Sequence, residues 1–265
     1  MTRLGVCGWP VGHSRSPRMH NAALAALGLH DWRYQHLPIP PELFAETVRA
    51  LPSAGFRGVN VTIPHKQQAL ALADHATETA VAIGAANTLT FESGAVHADN
   101  TDASGFLAAL PRSAYGATAL VLGAGGSARA VIYALRQAGA AEVRVWNRTP
   151  ERAAAVAREL GAVAVERADR ADIVVNCTSV GLADPDETFK ALPLRADDLG
   201  AGCLVVDMVY RLGGTLLLHA AEAAGAEVVG GLEILVAQGA ASLERWTGRT
   251  APDAVMREAV ADTAA

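Results

Sequence analysis

Residues 117–139 read ATALVLGAGGSARAVIYALRQAG. An apolar strand-like run leads into a glycine-rich turn, and the turn opens a stretch with the apolar spacing of an amphipathic helix. Strand, tight turn and helix in that order form the unit from which a doubly wound α/β sheet is assembled. Within it, GAGGSA (Gly123, Ala124, Gly125, Gly126, Ser127, Ala128) places glycine where the chain must turn and where backbone must approach a pyrophosphate at the helix N-terminus. Outward from this unit, EVRVWNR, DIVVNCTS, CLVVDMVY and AEVVGG read as further strands, with TPERAAAVAREL a helix among them. Their near-continuous Val, Leu and Ile runs are what parallel strands buried on both faces require.

The first hundred residues carry a second βαβ rhythm. RLGVCG, WRYQHLPI and GVNVT read as strands and SPRMHNAALAALGL and PPELFAETVRAL as helices, with Ser16 the expected N-cap before Pro17. ESGAVHADN reads as a hairpin, TDASGFLAAL as a helix capped by Thr101 or Asp102, and PRSAYG (111–116) as a joint between domains. The last two helices, GLEILVAQGAASLERW and APDAVMREAVAD, have no strand after them. The expected fold class is α/β, with an N-terminal α/β unit on a mostly parallel sheet and a Rossmann-type dinucleotide-binding unit.

The end of the strand after the glycine turn discriminates between dinucleotides. An NAD site usually places a carboxylate there for the ribose 2′-hydroxyl. Here the strand ends in NRTPER, and its first carboxylate, Glu151, is already in the helix. Asn147, Arg148, Thr149 and Arg152 offer two guanidinium groups and a hydroxyl, a set that suits a 2′-phosphate and so NADP.

Composition narrows the partners. Over 265 residues the net charge is -5, with no basic run, which argues against nucleic acid and anionic membrane surfaces and for small-molecule ligands. No charge-free apolar run has the length of a membrane helix, and the N-terminus MTRLGVCGWP lacks a secretory apolar region, so a cytoplasmic protein is expected. Cys7, Cys177 and Cys203 are widely spaced in apolar strand-like runs and read as core residues, with neither disulfide nor metal expected.

Lysine usage points to the chemistry. Of 22 basic residues only Lys66 and Lys190 are lysines, and Lys66 stands in NVTIPHKQ (60–67), just after a strand. Moving a hydride to or from a carbinol carbon also moves a proton on oxygen, so a titratable group is needed, and arginine cannot serve. Such a lysine is best held by a carboxylate, and the candidate is Asp102 in DNTDASG, which follows a hairpin and starts a helix. Ser14 and Ser16 in GHSRSP, Asn60 and Thr62 in NVT, and Asn87 and Thr88 in AANT add small polar side chains at strand-to-helix turns. Together they describe a pocket for a polyhydroxy or carboxylate-bearing ligand.

Taken in order, GWPVGHSRSPRMHN, NVTIPHK, GAANT, NTDASG, GAGGSARA, NRTPERA, NCTSVG, DMVY and GLEILVAQGA resemble the shikimate dehydrogenase family over nearly the whole chain. These are NADP-dependent enzymes that interconvert 3-dehydroshikimate and shikimate in chorismate and aromatic amino-acid biosynthesis. The resemblance implies that Lys66 and Asp102 form the catalytic pair and that Ser14 and Ser16 bind the substrate carboxylate. Asn60, Thr62, Asn87, Tyr210 and Gln238 would complete the substrate contacts. NADP would be held by residues 123–128 with Asn147, Arg148, Thr149 and Arg152, and with Thr178 and Gly231 nearby. It also implies that the terminal helices return to the N-terminal domain, giving a discontinuous substrate domain (1–102 and 240–265), an inserted NADP domain (103–239), and a cleft that closes between them.

Ala103 stands where the family often has glycine, and Glu233 and Ile234 stand where it often has glycine then methionine, which touches the wall near the nicotinamide. Quinate/shikimate or aminoshikimate dehydrogenases using NAD share the fold and are the nearest alternative. A non-catalytic NADP-sensing regulator is a remote one, since it would be expected to lose the lysine or the aspartate. A monomer or homodimer is expected.

Overall fold

The computed structural model describes residues 1–182, 184, 187–211 and 213–261. The chain forms two compact units, one from Met1–Gly105 with Leu235–Ala261 and the other from Phe106–Ile234.

The first unit holds six strands: β1 (Thr2–Gly8), β2 (Trp32–Pro38), β3 (Phe56–Val61), β4 (His75–Ala76), β5 (Thr88–Glu92) and β6 (Ala95–Asp99), in the order β2-β1-β3-β5-β6-β4. β1 lies parallel to both its neighbours, and β5 runs antiparallel to β3 and β6. The β5–β6 hairpin turns on Ser93 (φ 52°) and Gly94 (φ 79°), the positive pair that matches a two-residue hairpin to strand twist. Because the strand order reverses at β1, the connections leaving β1 and β3 open a crevice at the carboxyl ends of the strands, and Ser14, Ser16 and Lys66 all lie on those connections.

Helices α1 (Ser16–Ala26), α2 (Phe44–Ala50), α3 (Lys66–Leu72), α4 (Glu78–Ile83) and α5 (Asp102–Ala109) complete the N-terminal part. α1 buries Met19, His20, Ala23 and Leu24, one stripe at helical spacing. Ser16 is not its N-cap: Arg15 holds that position and Ser16 is the first helical residue. The hydroxyl of Ser14 accepts from the Ser16 N–H (3.3 Å), so the serine two residues upstream serves this helix end. α4 closes conventionally, with the Thr77 hydroxyl accepting from Ala80 N–H (3.2 Å) and Gly84 left-handed after its end.

The second unit is wholly parallel. Its strands β7 (Thr118–Leu122), β8 (Glu142–Trp146), β9 (Val163–Ala164), β10 (Ile173–Asn176), β11 (Leu204–Asp207) and β12 (Glu227–Gly230) stand in the order β12-β11-β10-β7-β8-β9. Helices α6 (Gly126–Gln137), α7 (Pro150–Leu160), α8 (Thr188–Ala191) and α9 (Leu216–Ala223) join them. α6 buries Ala128, Val131, Ile132 and Leu135, the i, i+3, i+4, i+7 stripe that the opening sequence announces. Leu120, Leu122, Val174, Val205 and Leu217 form part of one buried cluster, each side chain contributing about 1.5–3 kcal/mol by leaving water.

α10 (Gly231–Thr247) begins in the second unit and ends in the first, and α11 (Asp253–Val260) packs on α1. The chain thus passes between units inside α5 and inside α10, not at PRSAYG, which lies wholly in the second unit. Two glycines let α10 settle into the first unit. A Cβ on Gly58 would overlap the indole of Trp246, whose Nε1 donates to the Leu89 carbonyl (3.1 Å), and a Cβ on Gly105 would lie 2.7 Å from the Gln238 backbone.

Cys7 and Cys203 are buried as expected; Cys177 is only half-buried, because it stands in the turn after β10 and not in the strand.

Candidate active site

Lys66 is the first residue of α3 and is 8% exposed; Asp102 opens α5 and is 6% exposed. Lys66 Nζ donates to Asp102 Oδ2 at 2.5 Å. Both ends of this pair are held. The Ala86 N–H donates to the Lys66 carbonyl (2.9 Å), tying the start of α3 to the 84–87 turn. His65, just before it, stacks on Phe44 (centroids 4.3 Å apart), and its Nε2 meets the Ile39 carbonyl at 2.8 Å. A carbonyl only accepts, so Nε2 carries the proton; burial holds this imidazole below its usual pKa and neutral.

Asn87 supports the other carboxylate oxygen. The backbone N–H of Thr101 donates to Asn87 Oδ1 (2.8 Å), which fixes the amide's orientation and turns Nδ2 toward Asp102 Oδ1 (2.8 Å). Nδ2 also reaches Thr101 Oγ1 (3.0 Å) and Gln238 Oε1 (3.2 Å). Gln238 is 9% exposed, and its Nε2 donates back to Leu235 O (2.8 Å).

Ser14 and Ser16 stand together after β1, hydroxyl to hydroxyl at 3.1 Å. Their loop is pinned by His36 Nε2 on the Ser14 carbonyl (2.9 Å) and by Arg15, whose guanidinium donates to Val260 O (2.7 Å) at the end of α11. Two adjacent hydroxyls on a fixed loop can each donate to one oxygen of a carboxylate. Thr62 N–H donates to Cys7 O (2.8 Å), and a Cβ on Gly8 would lie 2.5 Å from the Thr62 methyl, so the glycine makes room for this threonine.

Asn60 is built into the interior. It is 5% exposed, its Oδ1 accepts from Tyr34 Oη (2.8 Å), and its Nδ2 faces the Asn87 carbonyl, Thr88 Oγ1 and Ser242 Oγ. Nothing in the sequence marked Ser242; it sits in AASLERW, an ordinary helical stretch. Nor does the sequence mark His20. It is fully buried, stacks on Tyr34 (4.2 Å, 7°), and finds no partner within hydrogen-bonding geometry for either ring nitrogen among the described residues.

The second unit presents backbone and arginine. Gly123 has φ 109°, and a Cβ there would lie 3.1 Å from the Cys177 carbonyl, so glycine lets the turns after β7 and β10 meet at the point where the strand order reverses. Gly125 caps α6 with extended backbone, and its Cβ direction is open, leaving the first-turn N–H groups approachable by a phosphate. Arg148 and Arg152 stand around the start of α7, and neither is in an ion pair with a described residue. A dianionic 2′-phosphate suits that unpaired positive pair.

Thr178 Oγ1 donates to Asn176 Oδ1 (2.7 Å), and Asn176 Nδ2 donates to Asp207 Oδ1 (2.9 Å). Burial pushes the Asp207 carboxyl up to about 6 against three donors: Thr215 Oγ1, Val209 N–H and Asn176. Gly231 approaches the end of β11 so closely that a Cβ would lie 2.6 Å from Met208 O. A cavity of about 320 Å³ beside it is lined by Tyr210, Thr215, Leu218, Gly231 and Glu233. Tyr210 therefore belongs to the second unit, while the other candidate substrate residues belong to the first.

Three family models match the chain. Residues 6–89 match the shikimate dehydrogenase substrate binding domain, residues 108–182 shikimate / quinate 5-dehydrogenase, and residues 231–261 the shikimate 5'-dehydrogenase C-terminal domain. A curated relative from Thermus thermophilus, shikimate dehydrogenase (NADP(+)), is 46% identical over 263 residues, covering 98% of this chain and 97% of the relative. Among solved structures, shikimate dehydrogenase from Aquifex aeolicus superposes with a TM-score of 0.91 at 37% identity, covering 99% and 98% of the two chains. Shikimate 5-dehydrogenase from Thermus thermophilus, in complex with NADP(H) and shikimate, superposes with a TM-score of 0.87 at 45% identity over 98% of each chain.

Proposed function

The chain belongs to the shikimate dehydrogenase family, and on that premise we propose how its residues share the reaction. It is an NADP-dependent oxidoreductase that reversibly reduces 3-dehydroshikimate to shikimate, the reaction of the shikimate pathway.

Ser14 and Ser16 bind the substrate carboxylate through their paired hydroxyls. Asn87, Thr62, Tyr210 and Gln238 contact its hydroxyls, and Asn60 shapes the floor beneath them. NADPH, when bound, supplies the hydride to the ketone carbon. As charge gathers on the ketone oxygen, Lys66 Nζ gives its proton to that oxygen; in the oxidative direction the neutral amine takes the proton of the hydroxyl. Asp102 accepts from Nζ and aims it, and Asn87 holds the carboxylate in that orientation. Gly123, Ala124, Gly125, Gly126, Ser127 and Ala128 cradle the pyrophosphate. Asn147, Arg148, Thr149 and Arg152 bind the 2′-phosphate, and Thr178 and Gly231 lie beside the rest of the cofactor. The first unit serves as the substrate domain and the second as the cofactor domain, in a cytoplasmic monomer or homodimer.

The observation that carries this reading is the buried 2.5 Å contact between Lys66 and Asp102, backed by the amide of Asn87. The test is steady-state NADPH formation with shikimate or quinate and with NADP+ or NAD+. Preference for shikimate with NADP+ is expected. A preference for quinate with NAD+ would transfer the chain to the quinate/shikimate branch, and tight NADP+ binding without turnover would favour a sensing role.

A further inference from the structure

Behind Asp102 lies a polar cluster with a hub that the reaction itself does not use. Ser242 on α10 is fully buried. Its Oγ lies 2.9 Å from Asn60 Nδ2, 3.0 Å from Thr88 Oγ1, 3.1 Å from Thr101 Oγ1 and 2.9 Å from the Gln238 carbonyl. One hydroxyl therefore joins β3, β5, the residue before α5, and α10.

The direction of these bonds follows from partners with only one role. The Gln238 carbonyl can only accept, so it takes the single proton of Ser242. The Asn60 amide is oriented by the Asn87 carbonyl, 3.2 Å from Nδ2, so Nδ2 donates to Ser242. The remaining lone pair of Ser242 accepts from Thr88 or Thr101. Both threonines also face Asn87 Oδ1, at 3.0 and 3.2 Å, and Asn87 is the residue that donates to Asp102. Ser242 thus decides how many donors compete for the back of Asn87, and through it how the carboxylate meets Lys66.

We propose that Ser242 is a positioning residue for the Lys66–Asp102 pair, acting through Thr88, Thr101 and Asn87. The inference rests on the catalytic assignment of that pair. In Ser242→Ala the Asn60 amide and one threonine hydroxyl each lose one of their acceptors; the threonine's remaining acceptor is Asn87 Oδ1, so the buried cluster must rearrange around Asn87.

The helix supplies its own control. Thr247, five residues on, makes the same i to i−4 bond to the Leu243 carbonyl (2.8 Å) but forms no hydrogen bond to a member of the cluster. In steady-state assays with shikimate and NADP+, Ser242→Ala is expected to lower kcat about tenfold with the KM for NADP+ unchanged, whereas Thr247→Ala leaves kcat unchanged. Ser242→Cys, which keeps a weak donor and acceptor at the same place, should fall between wild type and alanine. It also stands in if the alanine variant does not fold. Asn87→Ala combined with Ser242→Ala should cost less than the two separate losses multiplied, because both act on one network.

A Ser242→Ala enzyme with wild-type kcat and only a lower Tm would overturn the proposal, as would equal losses in Ser242→Ala and Thr247→Ala. Wild-type turnover is measured in the same series. An inactive wild type refutes the parent reading, while an active wild type with an indifferent Ser242 refutes only this one.

Discussion

The two units prepare for their ligands in opposite ways. The second offers backbone: a glycine turn at the reversal of a wholly parallel sheet, an open helix N-terminus, and arginines beyond the next strand. The first offers side chains, and it surrounds them with other buried side chains: Asn60, Asn87, Thr88, Thr101, Gln238 and Ser242 stand behind Lys66 and Asp102. A dinucleotide's phosphates can be met by N–H groups that any sequence carries, provided glycine lets them approach. A proton must be delivered by one particular group in one orientation, and only a satisfied interior network holds such a group still.

The contrast is open to attack from the arginines first. If the second unit selects its cofactor by the 2′-phosphate, Arg148→Ala with Arg152→Ala should erase the preference for NADP+ over NAD+ by roughly a hundredfold or more, since each charge-assisted contact is worth about 1.5–3 kcal/mol. Turnover with shikimate at saturating cofactor should be nearly unchanged. A retained preference in the ratio of kcat/KM values would mean that the phosphate is read elsewhere.

Glycines separate the units next. Gly58→Ala drives a methyl group into Trp246 and should cost the first unit about 1–3 kcal/mol, seen as a lower Tm. Gly125→Ala meets no atom and has extended backbone, so Tm should hold while the KM for NADP+ rises. Equal losses of Tm in both variants would dissolve the distinction.

The smallest expected effect is one of pH, and its sign differs between the units. Burial lowers the His20 pKa from 6.5 to about 3. Its stabilising contribution is therefore complete above pH 6.5 and is lost as pH falls through that value, about 2 kcal/mol between pH 7 and 5. Asp207 runs the other way. Its folded pKa, about 6 against 3.8, makes the native state take up a proton first, so the cost of its burial is complete above pH 6 and eases by about 1 kcal/mol over the same interval. Relative to wild type, His20→Phe should gain Tm on acidification from pH 7 to 5 and Asp207→Asn should lose it. Shifts of the same sign in both would contradict the assignment.

The same contrast explains what could be read in advance. The GAGGSA turn, the α6 stripe and the strand runs of the second unit are local patterns, each visible within about twenty residues, and a single short-range rule decodes them. The first unit's frame was legible too, but not its short pieces: α3 and α4 have seven and six residues, too few for a periodic signal. PRSAYG looked like a joint because Pro, Ser and Gly cluster there, yet the chain changes unit inside α5, where Gly105 admits the backbone of Gln238. Lys66 stands out by its chemistry; Asp102 is a carboxylate candidate at a helix start, but the two lie 36 residues apart, and no short-range pattern marks them as partners. Ser242 was hidden because its side-chain partners lie 141 to 182 residues away, and a serine in a helix carries no mark of what it will face.

Lys66→Arg tests the central claim most directly. The guanidinium keeps the positive charge and can still pair with Asp102, but it cannot surrender a proton. With shikimate and NADP+, turnover should fall by about 10²–10⁴, as far as in Lys66→Ala, with the KM for shikimate changed much less. Turnover within a few-fold of wild type in Lys66→Arg would show that the residue serves only as a charge, and the proton-transfer role would have to be abandoned.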